Sequence, residues 1–343
     1  MKRTIAGPGW RLLGLIALVL TLFNSHSGSA QTKVTILHVL VGPKQAALWV
    51  AQEQGIFAKH GVDVQVLYFD PKRASRDQIM GDVFGAIGIP PALVLAAGGM
   101  DLKVVTAINN ASPTTQHLVT KPEIKTAADL RGKRYGINRI GTGSYITAMQ
   151  ALAYLGLDPN RDGITLVESK TGPLGVVRAL ESGEIDAAGV DPLQSAQLRA
   201  KGFFLLFDTS ATDLPGVQDG IAVAGPYLRE RPDVVEKVVA GMVEGIAFSL
   251  SAQNKAIVVK ALMTRLNIAS PEAAELAYEE FLTRVRGKPS VSVAAARSYQ
   301  SVLAFNDPRV LNVKIEDILE DRFVRALEEN GTIDRLYNAY GVK

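Results

Sequence analysis

The residues best suited to binding a polar ligand lie in a short loop, Gly141-Thr142-Gly143-Ser144. An apolar stretch from Tyr135 to Ile137 precedes the loop and indicates a strand, and a helical pattern follows it. A helix start exposes unpaired backbone N–H groups with partial positive charge, and Thr142 and Ser144 add hydroxyl groups. The loop therefore predicts a site for an anionic or strongly polar ligand. An alternative is that Thr142 or Ser144 only caps the helix.

Groups that perform catalysis or bind metals are sparse. The chain has no cysteine, which excludes a thiol nucleophile, thiolate metal sites and disulfides. His38, His60 and His117 are far apart and outside any metal-binding spacing, so a structural role is expected for each. The sequence therefore predicts no catalytic residue, no metal and no cofactor, which means that the protein is not an enzyme.

Three carboxylates lie close together around a predicted helix end, namely Glu181, Glu184 and Asp186. An acid–base pair would need such neighbours. Charged residues at a helix end are also typical of a solvated surface, and we interpret these three in that way.

The first thirty residues have the pattern of an export signal. Lys2, Arg3 and Arg11 flank an apolar core that is shorter than the ~20 residues needed to span a bilayer, and small residues end at Ala30. Cleavage there would leave 34 basic and 34 acidic residues, because the signal removes three of the 37 basic ones. No basic block points to nucleic acid. We expect a periplasmic protein whose mature chain begins near Gln31.

Strand and helix patterns alternate over short connections from residue 33 to residue 207, which predicts two α/β units with parallel sheets. Extended segments at His117–Thr120 and Ile221–Ala224 are predicted to join the units, and helices follow to the C-terminus. The predicted lobes are 31–118 with 222–343, and 119–221.

Four stretches resemble a known family: Leu48 to Val66, Gly81 to Gly99, Lys125 to Ser144 and Ala179 to Pro192. They look like solute-binding proteins of ABC importers for nitrate, sulfonate and taurine-type solutes, in the NMT1/THI5-like family. The resemblance implies an α/β type II periplasmic-binding-protein fold: two lobes, two crossover strands and a helical C-terminal region. It also implies an ABC permease and ATPase in the inner membrane as partners. We expect a monomer.

The family holds its solute between the lobes, at loops after strands and at helix starts. Carried onto this chain, the resemblance implies a set of ligand-binding residues. They are Lys44, Gln45, Ile89, Pro90, Arg139, Thr142, Gly143, Ser144, Asp191 and Gln218.

Several of these residues have structural alternatives. Lys44 could be a solvated charge, Pro90 could only start a helix, and Arg139 could pair with a surface carboxylate. Asp191 before Pro192 has the pattern of an N-cap. If Asp191 instead faces the cleft, it would repel a bare anion and favour an amine or a hydroxyl group.

The predicted function is capture of a small polar, anionic organic solute of the sulfonate, taurine or nitrate type. Two alternatives stay open. One is a component that presents its ligand to a sensor. The other is a binder of thiamine pyrimidine precursors, or a protein like the synthase that shares this fold.

Overall fold

The computed structural model describes residues 31–38, 42–68, 83–109, 116–169, 171, 173–212, 214–285 and 288–342. The predicted export signal and the short helix predicted at Ser75–Met80 lie outside these residues. Ten described strands form two five-stranded sheets of the same design. In each sheet one strand runs against the other four, so both sheets are mixed rather than parallel as the sequence predicted.

The first sheet has the order β2-β1-β3-β10-β4. Its strands are β1 (Thr32–His38), β2 (Val62–Tyr68), β3 (Val83–Gly88), β4 (Leu102–Ala107) and β10 (Asp219–Ala224). Strand β10 is the reversed one, and its first residue, Asp219, lies opposite Gly88 at the end of β3. The start of β10 therefore meets the carboxyl ends of β3 and β4 at one edge.

The second sheet has the order β7-β6-β8-β5-β9. Its strands are β5 (His117–Thr120), β6 (Arg134–Ile137), β7 (Thr165–Glu168), β8 (Ala187–Val190) and β9 (Phe204–Asp208). Here β5 is reversed, and His117 lies opposite both Val190 and Asp208. One edge again collects the start of the reversed strand and the ends of its neighbours. Such edges are where open α/β sheets bind ligands.

Helices connect the strands and make up the region after β10. Within the strand-forming region they are α1 (Ala46–Glu53), α2 (Ile56–Lys59), α3 (Ile89–Ala97), α4 (Gly143–Tyr154), α5 (Pro173–Glu181) and α6 (Pro192–Ala200). The later helices are α7 (Gly225–Glu230), α8 (Pro232–Leu250), α9 (Lys255–Leu266), α10 (Pro271–Arg284), α11 (Val293–Leu303), α12 (Ile315–Ile318), α13 (Arg322–Glu329) and α14 (Thr332–Ala339).

The apolar side chains form three buried clusters. The first lies between the first sheet and helices α1 and α8, and it contains Trp49 and Phe57. Close approach of α8 to α1 depends on Gly245, because a Cβ there would lie 2.7 Å from the Ala51 Cβ. The second cluster is shared by the two sheets, since it joins Leu93 of α3 to Ile146 of α4. The third fills the other face of the second sheet. Apolar burial of this kind is the main stabilising contribution to the fold.

Candidate functional site

The edge of the first sheet carries a buried polar cluster. At its centre is Asp219, which is 1% exposed. Its Oδ2 accepts from Lys44 Nζ at 2.6 Å, from Asn109 Nδ2 at 3.0 Å and from Gln45 Nε2 at 3.2 Å. Lys44 and Gln45 reach this position because they form a turn after β1 (Pro43–Gln45). Asn109 follows β4 and also accepts from the Asp219 amide. Sequence-predicted Lys44 and Gln45 are thus brought together.

The corresponding edge of the second sheet carries His117, Asp191 and Asp208. His117 Nε2 lies 3.5 Å from Asp208 Oδ1. Asp191 caps α6: its Oδ1 accepts from the Gln194 amide at 2.7 Å, and Gln194 Oε1 accepts from the Asp191 amide. The predicted cap is therefore present. Burial raises the pKa of the Asp191 carboxyl, while the capping amide and the charges of Arg284 and His117 act in the opposite direction.

Helix α10 links the two edges, because it packs against both the Pro43–Gln45 turn and α6. Its last turn carries Glu280 and the buried Arg284, with Arg284 Nη2 3.7 Å from Glu280 Oε1. Burial raises the pKa of Glu280, and the negative charge of Asp191 raises it further, whereas Arg284 and Lys44 lower it. These influences connect groups of both sheets and of α10. Because α10 packs against both edges, we group their polar side chains under one name, the cleft cluster: Lys44, Gln45, Asn109, His117, Asp191, Asp208, Asp219, Glu280 and Arg284.

The hydroxyl groups of the Gly141–Ser144 loop make hydrogen bonds within the loop and with the residues just before it. Ser144 Oγ accepts from the Asn138 amide at 2.8 Å, and Thr142 Oγ1 donates to the Arg139 carbonyl at 2.6 Å. Thr142 is the N-cap residue of α4, but its side chain makes no capping bond. A Cβ on Gly143 would lie 3.0 Å from Val217 Cγ1, so the loop packs closely against the segment that leads into β10.

The remaining predicted residues lie on the same packed side, apart from Arg139. Ile89 and Pro90 are buried at the start of α3, and the Ile89 amide donates to the Gln218 carbonyl. Gln218 Oε1 accepts from the Ser292 amide at 2.9 Å. Arg139 is exposed, and no ion pair joins it to any carboxylate in the described part of the chain. The geometry thus places three of the ten predicted residues in the cleft cluster and six on the packed α3–α4 side, while Arg139 is exposed.

Sequence reasoning missed Asn109, Asp219, Glu280 and Arg284 and assigned His117 a structural role. Asp219 and Asn109 could have been found from the sequence, because each is a polar residue beside an apolar strand. Asp219 begins β10, and Asn109 follows β4. Glu280 and Arg284 had none, because charges four residues apart on a helix are typical of an exposed face.

The interpretation of Asp186 as part of a solvated face is wrong, since Asp186 is a buried ion-pair acceptor. It lies where β8 begins, within reach of Lys121 and of Arg134 on β6. Glu181 and Glu184 are exposed as predicted.

Two searches of the described residues bear on other functions. No group of three or more histidine or acidic side chains within them has the arrangement of a metal site. None of the helices in these parts of the chain is both long and apolar enough to cross a membrane.

Comparison with known proteins shows which family and which fold this chain shares. The profile of the family described as NMT1/THI5 like matches residues 42–256. A protein named as a binding protein in Brucella abortus (strain 2308) is 26% identical over 241 residues, which cover 65% of this chain and 69% of that protein. The periplasmic aliphatic sulphonate binding protein of Escherichia coli aligns with a TM-score of 0.64 and 19% identity, over 83% of this chain and 91% of that one. A desulfurization enzyme aligns with a TM-score of 0.62 and 20% identity, over 87% and 99%.

The two mixed five-stranded sheets define the fold of periplasmic binding proteins. The chain belongs to the NMT1/THI5-like family, since the profile covers more than half of it. The family and the fold predicted from the sequence are both confirmed.

Proposed function

We propose that this protein is the periplasmic solute-binding component of an ABC importer, and that it closes two lobes on a small polar organic solute. The observation that carries the proposal is the cleft cluster, because α10 packs against both sheet edges and brings their polar side chains near its last turn. A ligand that contacts both edges binds the closed state better than the open one, and such differential binding drives closure.

The lobe boundaries also belong to the proposal. The strand pairing supports lobes joined by the segments around β5 and β10, because β5 lies in the second sheet and β10 in the first. The sulfonate, taurine or nitrate class of solute comes from the family. Of the ten predicted residues, Lys44, Gln45 and Asp191 are those that we assign to the solute.

Small-angle scattering combined with a thermal-shift screen tests this function. The screen covers sulfonates, taurine, nitrate, carboxylates and pyrimidines. A solute at 100 times its dissociation constant should add about 2.7 kcal/mol of stability. We expect the same solute to lower the radius of gyration. Tight binding at one site without compaction would contradict the two-lobe mechanism.

Tryptophan emission gives a second readout, because Trp49 is the sole tryptophan after the predicted signal. Trp49 is buried, and its ring lies 6.0 Å from that of His38 at the end of β1. The ring therefore lies near the candidate edge, and we expect a modest change of emission on closure.

Two alternatives have specific grounds. A sensor component would bind its ligand in the same way, and neighbouring genes distinguish the cases: a permease and an ATPase favour import, whereas a histidine kinase favours sensing. An enzyme is the second alternative, because a desulfurization enzyme shares the fold. This chain has no cysteine, so such an activity could not use a thiol nucleophile.

A further inference from the structure

Helix α10 lies beyond the part of the chain that the family profile matches. The matched profile ends at residue 256, whereas Glu280 and Arg284 lie in the last turn of α10. That turn is close to both sheet edges, as its packing against the Pro43–Gln45 turn and α6 requires.

Negative charge exceeds positive charge in the cleft cluster. The cluster contains four carboxyl groups, those of Asp191, Asp208, Asp219 and Glu280. Its positively charged side chains are Lys44 and Arg284, and His117 is its one histidine. The excess persists even if His117 is protonated. Lys44 is bound to Asp219 at 2.6 Å, so its charge is already committed. Within the described residues Asp191 has no ion-pair partner, and its capping bonds come from neutral groups.

The cluster also has unused hydrogen-bond acceptors. Gln45 is fully buried, and its Oε1 has no hydrogen-bond partner among the described residues. The opposite amide orientation would place this oxygen against the Asp219 carboxylate, so Nε2 is the group that faces Asp219. Asp219 Oδ1 likewise accepts no hydrogen bond from the described residues. An unsatisfied buried acceptor costs roughly 1–3 kcal/mol, and a ligand that brings a donor removes this cost.

The carboxyl groups of Asp191 and Glu280 are the two that a positively charged ligand group would stabilise. Burial raises the pKa of both Asp191 and Glu280 even though Arg284 acts in the opposite direction on each, so either charged form would be stabilised by a further positive charge. A ligand cation between them would stabilise both carboxylates. An ammonium group suits this position best, because it carries three donors and no acceptor.

We propose that Asp191 and Glu280, with the free acceptor of Gln45, select a solute that carries a protonated amine. This inference rests on the proposed function and narrows it: a bare anion such as nitrate or a plain alkanesulfonate is excluded. The amine lies between α10 and the start of α6, and any anionic group of the solute is directed away from this carboxylate pair.

Matched pairs of compounds that differ only in the amine test the inference. Taurine is compared with ethanesulfonate, 3-aminopropanoate with propanoate, and 4-aminobutanoate with butanoate, by thermal shift and calorimetry at pH 7. We expect stabilisation by at least one amine member and at least tenfold weaker binding of its partner. Equal binding within every pair, or no stabilisation by any amine member, overturns the inference.

Glu280→Gln identifies the residue responsible, and Glu279→Gln is its matched control because Glu279 is exposed on the same helix. We expect Glu280→Gln to weaken the amine member about tenfold and Glu279→Gln to leave its affinity unchanged. An unchanged amine preference in Glu280→Gln overturns the assignment. The comparison of compounds on the wild-type protein needs no variant, so it holds even if Glu280→Gln folds poorly.

The proposed function and this inference fail separately. A solute without an amine that binds tightly and compacts the protein leaves the proposed function intact and overturns the amine selectivity. If no compound of the wider screen binds or compacts the protein, the proposed function itself fails.

Discussion

Two aspartates stand at opposite ends of strand β8, and their surroundings differ sharply. Asp186 precedes the strand and accepts four hydrogen bonds of 2.7–3.0 Å, from Lys121 Nζ and from the Nη2, Nε and amide groups of Arg134. Asp191 follows the strand, and the described residues give it only the capping bonds of α6. The guanidinium of Arg134, followed by Lys121, holds the pKa of Asp186 well below its usual range, whereas burial raises that of Asp191.

The difference follows from the two ends of a parallel strand. At the amino end, Asp186 joins β8 to β6 and β5, since Arg134 begins β6 and Lys121 follows β5. At the carboxyl end, loops and helix starts form the edge at which ligands of such sheets bind. A carboxylate saturated by the protein stabilises the fold, and one with little compensation is available to a ligand.

Asp186→Asn should therefore be the most destabilising change that this comparison predicts. It removes the negative charge opposite Arg134 and Lys121, and hydrogen bonds to charged groups contribute about 1.5–3 kcal/mol each to stability. Arg134 is partly exposed and can be hydrated, so we expect a loss near the lower limit, about 2 kcal/mol. Urea unfolding at pH 7 measures this loss.

Glu181→Gln is the control for this variant. Glu181 pairs with Lys201 at the surface of the same lobe, and exposed pairs contribute at most ~1 kcal/mol. A loss in Asp186→Asn no larger than that in Glu181→Gln would contradict the structural role of Asp186.

The pH dependence of stability should have opposite signs for the two aspartates. A carboxyl with a lowered folded pKa stabilises the protein above its unfolded value of about 3.9, and this contribution is lost as the pH falls through the folded pKa. The advantage of wild type over Asp186→Asn should thus shrink in acid. A raised folded pKa has the reverse effect, so wild type should gain on Asp191→Asn as the pH falls from 7 toward 4. If the unfolding free energies of the two variants changed with pH in the same way, the predicted difference between Asp186 and Asp191 would be contradicted.

Most of the fold could be predicted from local patterns. The sequence patterns predict a strand at Val62–Tyr68 and helices at Pro192–Ala200, Pro232–Leu250 and Pro271–Arg284, and β2, α6, α8 and α10 have these bounds. The bounds of β5 also match, because alternation, helical periodicity and proline starts are encoded over short distances. The reversed direction of β5 and β10 was not predicted, since strand orientation depends on partners far away in the sequence. The expected lobe boundaries, between residues 118 and 119 and between residues 221 and 222, fall within β5 and β10.

The candidate site was predicted only in part. Lys44, Gln45 and Asp191 follow strands directly, so the family's loop pattern located them. The Thr142–Ser144 loop has the sequence of an anion site, and its role stays a prediction. Its hydroxyl bonds and the close packing of Gly143 on Val217 were not predicted, because a sequence does not show such packing. Glu280 and Arg284 join the cleft cluster only because α10 packs against both sheet edges, which a sequence does not show.

Asp191→Asn should have the smallest effect on stability and a clear effect on binding. Asparagine caps a helix about as well as aspartate, and the variant also removes a poorly compensated charge, so the free energy of unfolding at pH 7 should stay within about 0.5 kcal/mol of wild type. If Asp191 is only a cap, the ratio of affinities for taurine and ethanesulfonate should stay constant in calorimetry. We expect that ratio to fall toward one instead, because the carboxylate that attracts the amine is lost while the fold is kept. A large loss of stability with unchanged selectivity would place Asp191 with Asp186 among the structural carboxylates.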